Sequence, residues 1–93
     1  MLKIEKEDNG KKGRYVLKED AKEVGEMTFT WAGSDKFIID HTAVDPSSGG
    51  KGYGKKLVEA AVEYARENKL KIIPLCPFAK KVFQREEAFQ DVL

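Results

Sequence analysis

Phe37-Ile38-Ile39-Asp40-His41-Thr42-Ala43-Val44-Asp45-Pro46-Ser47-Ser48-Gly49-Gly50-Lys51-Gly52-Tyr53-Gly54-Lys55-Lys56-Leu57-Val58 is the stretch that decides the fold. Its first eight residues read as a strand, Asp45 to Ser48 as a turn, and Lys55 onward as a helix. Between them lie Gly50, Gly52 and Gly54, each of which costs backbone entropy. A loop opening a helix offers free N–H groups and a positive dipole end to an anion, and glycine lets the backbone come close to it. Lys51, Lys55 and Lys56 add positive charge. The alternative is a solvated turn.

Two nucleotide loops are excluded by position. Gly49 to Lys55 follows G-x-x-x-x-G-K, but the next residue is Lys56 where a P-loop needs Ser or Thr for magnesium. The dinucleotide pattern G-x-G-x-x-G ends on Lys55 or Leu57, neither a glycine.

Composition sets the class. At 93 residues, 41% hydrophobic and 35% charged, one small globular domain spanning residues 1–93 is expected. A net charge of +1 leaves no footprint for nucleic acid. No apolar run approaches the roughly 20 residues of a membrane span, so no membrane partner is expected. One cysteine and one histidine allow neither an internal disulfide nor a structural zinc site. A cytoplasmic location and a monomer or weak dimer are the corresponding expectations.

Ahead of the deciding stretch, Ile4–Lys6 and Arg14–Lys18 read as strands, separated by the polar turn 8–13. Val24–Trp31 alternates, with Met27, Phe29 and Trp31 on one face. With Lys36–Val44 these make a four-stranded antiparallel meander. Leu57, Val58, Ala61, Val62 and Ala65 then form one helical stripe ending near Asn68. Leu70–Leu75 is a short apolar strand, and strand–helix–strand predicts parallel strands with a right-handed crossover. Phe78–Arg85 makes a last helix with Ala79, Val82 and Phe83 inward, and Phe89, Val92 and Leu93 dock the tail. The fold class is α/β with a mixed sheet.

Cys76-Pro77-Phe78-Ala79 forms a second constellation. Proline favours the first helical position, which puts Cys76 at the N-cap, where the dipole favours thiolate. His41, near the C-terminal end of its strand, is a candidate partner across the crevice between parallel strands. It shares parity with Phe37, Ile39 and Ala43, which also fits a core face, and Asp40 takes its place if the strand bulges. A lone cysteine is also often a small buried apolar residue.

With both constellations in hand, the chain resembles the small, single-domain branch of the GNAT superfamily of N-acetyltransferases along nearly its whole length. The resemblance is most specific at His41–Val44, Gly50–Leu57 and Pro74–Ala79. The GNAT loop is Q/R-x-x-G-x-G/A; Gly52 and Gly54 match, while Gly49 departs at the Gln or Arg position. The resemblance implies acetyl-CoA between the splayed fourth and fifth strands. Its pantetheine would pair with Thr42, Ala43 and Val44, and its pyrophosphate would meet amides of Gly49, Gly50, Lys51, Gly52, Tyr53, Gly54 and Lys55. Many GNATs carry Asn-x-x-Ala-x-x-x-Tyr on the last helix, the Tyr serving as general acid. Aligned on Ala79, those positions hold Cys76 and Phe83, so the usual acid is missing. Similar small proteins carry the Cys76 and His41 equivalents, and cysteine-dependent transfer has been suggested for them. The resemblance thus implies acetyl transfer to an unidentified amine, Cys76 either taking the acetyl group or protonating the departing thiol, with His41 as base or thiol partner. The rival readings are a non-catalytic acyl-CoA-binding module and an interaction domain whose open sheet pairs with a partner.

Overall fold

The first four strands are joined in turn by three short connections. In the computed structural model, which describes residues 2–46, 50 and 52–93, they are β1 (Leu2–Asp8), β2 (Lys12–Glu19), β3 (Lys22–Trp31) and β4 (Lys36–Val44), paired antiparallel in chain order. Asp8 Oδ1 accepts the Gly10 amide at 2.8 Å, and Asn9 Oδ1 accepts the amides of Lys11 and Lys12 at 2.9 and 2.8 Å. These short polar side chains stand in for backbone partners in the turn. The next hairpin is tight: Glu19 pairs with Lys22 across Asp20, which takes φ 59°. β1 and β2 run further than their apolar residues indicate, because ladder pairing continues through charged positions up to each turn.

β5 (Lys71–Pro74) lies parallel to β4 at the sheet edge, giving the order β1-β2-β3-β4-β5. The crossover is α1 (Tyr53–Asn68), and α2 (Pro77–Arg85) with a 3-10 helix (Glu87–Val92) completes the chain. α1 ends with Lys69 at φ 57° and the Leu70 amide on Ala65 O at 2.8 Å. Leu70 thus belongs to the helix cap, and β5 starts one residue later than its apolar run suggests. No helix among the described residues is long and apolar enough to cross a membrane.

Leu57, Val58, Ala61, Val62 and Ala65 of α1 and Ala79, Val82 and Phe83 of α2 are buried in one cluster with Leu17, Met27, Phe29, Phe37 and Ile39 of the sheet. Both helices therefore cover the same sheet face. Full burial of each such large side chain contributes about 1.5–3 kcal/mol. Phe29 anchors the aromatic part, with ring centroids 5.4 Å from Tyr15 and 5.3 Å from Phe37. Trp31 is half-buried and donates its indole N–H to Asp8 at 3.0 Å. Phe89 and Val92 dock as expected, but Leu93 is 49% exposed, because it lies past the last turn of the 3-10 helix.

Two irregularities in β4 open a groove beside it. Phe29 pairs with Ile39 and Thr28 with His41, so Asp40 is an extra residue, a β-bulge. The bulge flips the side-chain alternation. Thr42, opposite buried Met27, returns to the helix-covered face, whereas His41 and Ala43 are exposed on the other. His41 thus loses the parity with Phe37 and Ile39 that its spacing suggests. Second, β5 pairs with β4 only as far as Ile39, whose carbonyl accepts both the Leu75 and Cys76 amides at 3.2 and 3.1 Å. Beyond it the strands part, and Thr42–Val44 has no strand on that side among the described residues.

Candidate functional site

A cavity of about 560 Å³ lies along the unpaired half of β4. Thr42 and Val44 line one wall, because alternate residues of a strand share a face. Ala43 faces away. A second wall is the glycine loop and the first turn of α1, with Gly50, Gly52, Tyr53, Gly54 and Lys55. The third is α2 with its C-cap, contributing Phe78, Val82 and Arg85 from the helix and Glu86 just past its end. Gly49 and Lys51, expected in the loop wall, lie outside the described residues.

The loop wall has the character of an anion site. Gly50 and Gly52 take φ 80° and 74°, and among the described residues nothing lies within 4 Å of where a Cβ would stand. Conformation, not crowding, requires glycine there, and the backbone is left bare on the open side. α1 has no acidic residue in its first turn, where Lys55 and Lys56 instead oppose the positive end of the helix dipole. Glu86 supplies the missing negative charge from α2, its Oε1 2.7 Å from Lys55 Nζ. Tyr53 donates its hydroxyl to Glu19 at 2.7 Å, tying the start of α1 to the β2–β3 hairpin. That bond to a carboxylate holds the Tyr53 hydroxyl above its ordinary pKa.

Cys76 occupies the N-cap of α2 with Pro77 behind it, as its sequence position suggests. Its thiol is buried, 4% exposed, and donates to Thr42 Oγ1 at 3.7 Å. Burial is the largest single influence and raises the thiol pKa. It is outweighed by the Ala79 amide, the Thr42 hydroxyl and the amides of Phe78 and Thr42, so the pKa falls below its usual value. The amides do not meet the geometry of a regular capping hydrogen bond, and we count them as electrostatic support for the thiolate. The bulge therefore brings Thr42 to Cys76, while His41 stands on the opposite face, its carbonyl accepting the Thr28 hydroxyl at 3.5 Å. Phe83 is packed against Phe89 with ring centroids 6.4 Å apart, and Val82 takes the groove-facing position. No sequence signal marks Arg85 or Glu86 as site residues, or Thr42 as the neighbour of Cys76, because these meet only through the bulge and the packing of α2.

Residues 14–92 match the family described as GCN5-related N-acetyl-transferase. The chain belongs to the GCN5-related N-acetyltransferase family. Among solved structures, a GCN5-like protein from Staphylococcus aureus is 39% identical, with a TM-score of 0.76 over 98% of this chain and 86% of that one. The ribosomal-protein-alanine N-acetyltransferase of Brucella melitensis biovar Abortus 2308 shares the fold at 21% identity and TM-score 0.72, over 83% of this chain and 62% of that one. AAC(6')-Iy, solved with the bisubstrate analogue CoA-S-monomethyl-acetylneamine, shares it at 16% identity and TM-score 0.61, over 82% and 60%. The chain thus spans under two-thirds of the length of these last two. No curated protein matches it.

GCN5-related N-acetyltransferases use acetyl-CoA, and the groove fits it. A free strand edge at Thr42–Val44 can take an amide-bearing pantetheine arm, and a helix start with open glycines can take phosphates. Lys55 from α1 and Arg85 from α2 supply positive charge to the same groove.

Proposed function

We propose that this N-acetyltransferase passes its acetyl group to a primary amine by way of Cys76. Acetyl-CoA, when bound, supplies an activated acetyl thioester. Thr42 to Val44 hold its arm, the amides of Gly50 and of Gly52 to Lys55 hold its phosphates, and Thr42, which lines the groove, carries the contact to Cys76. The Cys76 sulfur takes the acetyl group as free CoA thiol leaves with one proton. Cys76 then yields the acetyl group to an amine, which loses a proton as the amide forms and the thiol is restored. That proton passes to water, since His41, the base its sequence position suggests, lies on the face of β4 opposite Cys76. The observation that carries this reading is the thiol at the α2 N-cap bonded to Thr42 at 3.7 Å, in surroundings that favour its thiolate.

Burial of Cys76 favours a second reading, an acyl-CoA-binding module in which the thiol only packs. Cys76→Ser separates the two. It keeps size and a capping oxygen, so calorimetry should show unchanged affinity for acetyl-CoA while amine-dependent CoA release disappears. Equal release by parent and variant excludes Cys76 as catalyst, and binding without release in both favours the module.

A further inference from the structure

Glu86 is an unexpected residue to find in the wall of a groove that takes phosphates. Its carboxylate lies 2.7 Å from Lys55 Nζ, and both residues line the cavity. They come from different helices, Lys55 from the first turn of α1 and Glu86 from the end of α2. The first turn of α1 holds no acid of its own. A side chain reaching over from α2 therefore supplies the negative charge that the dipole and the lysine favour.

We infer that Glu86 stands in for a cofactor phosphate at Lys55 and is displaced when CoA binds. The exchange presupposes the acetyl-CoA groove proposed for this protein. Lys55 Nζ has three donors and is half exposed, so it can turn from a carboxylate to a phosphate oxygen without burial cost. Glu86, left beside a polyanion, then loses its partner and opposes it. Arg85, next in sequence and in the same wall, remains cationic and shares the phosphate charge. The pair thus keeps the groove neutral at this point before CoA arrives and lowers affinity for it. It adjusts release of the product as well as capture of the donor, because both carry the same phosphates.

The test is calorimetric titration of CoA into the parent protein, Glu86→Gln, Lys55→Met and the double variant, with thermal melts to confirm folding. Glu86→Gln should bind CoA about two- to five-fold more tightly, the range expected of exposed charge pairs. Lys55→Met should bind more weakly. In the Lys55→Met background the gain from Glu86→Gln should shrink, because no lysine is left to compete for. Unchanged or weaker binding by a folded Glu86→Gln, with the parent binding normally, overturns the exchange and makes Glu86 a support for Lys55. Absence of CoA binding by the parent protein removes the cofactor reading itself, and this inference with it.

Discussion

The ring of Phe78 stands where a side chain on Gly54 would have to be: a Cβ on Gly54 would lie 2.4 Å from Phe78 Cζ. The two glycines of Gly52-Tyr53-Gly54 thus answer to different constraints. Gly52 is set by a positive φ, with no described residue within 4 Å of its Cβ position, and Gly54 by the close approach of α2 to α1. Gly54→Ala should destabilise by about 1–3 kcal/mol, as overpacking does. In a Phe78→Ala background the same change should cost little. Gly52→Ala should cost about 1–2 kcal/mol in either background. Thermal melts of the single and double variants check this, and additive Gly54 and Phe78 effects would contradict the packing explanation.

Phe83 holds the position at which the family resemblance leads one to expect a proton-donating tyrosine, yet its ring is 2% exposed and stacks edge-on with Phe89. Phe83→Ala should cost about 3–5 kcal/mol in denaturant unfolding. Phe83→Tyr should leave the rate of acetyl transfer no higher than the parent's, since Val82, not residue 83, lines the groove. A rate increase in that variant would show that position 83 reaches the chemistry.

The thiol makes a prediction with a definite sign. Folding lowers the Cys76 pKa, so the folded state favours thiolate more than the unfolded chain, whose value is about 8.5. The resulting stability is present above that unfolded value and is lost as pH falls through the folded one. Between neutrality and about pH 9 the parent should therefore gain stability relative to Cys76→Ser. Thr42→Val removes the hydroxyl and should raise the thiol pKa, read from the pH dependence of alkylation. A stability difference that stays flat with pH would rule out the thiolate-favouring environment.

Much of this architecture is readable in the sequence because it rests on local chemistry. The Met27-Phe29-Trp31 alternation, the stripe from Leu57 to Ala65 and the Cys76-Pro77 helix start all stand as their patterns indicate. The bulge at Asp40 is not readable, since no glycine or proline marks it, and it alone decides that Thr42 rather than His41 meets Cys76. The same limit hides the Tyr53–Glu19 bond, whose partners are 34 residues apart and meet only once α1 is laid on the sheet. Local pattern places elements. Long-range packing chooses which of their side chains converge.

That Tyr53–Glu19 bond anchors the helix start that faces the phosphates. Tyr53→Phe should fold normally yet raise the Kd for CoA, with little change in kcat at saturation. Tyr53→His or Glu19→Gln, each able to keep a hydrogen bond, should sit between the parent and Tyr53→Phe. If Tyr53→Phe lowers kcat and leaves Kd unchanged, the tie does not act through the loop.

The central claim is that Cys76 carries the acetyl group, and intact mass spectrometry after rapid acid quench tests it most directly. Mixed with acetyl-CoA and no amine, the parent protein should gain one acetyl group, located on Cys76 by peptide mapping. Adding a reactive amine should discharge it, and Cys76→Ser should gain none. An unmodified parent protein that binds acetyl-CoA, or an acetyl group found only on lysines in parent and Cys76→Ser alike, would contradict the account.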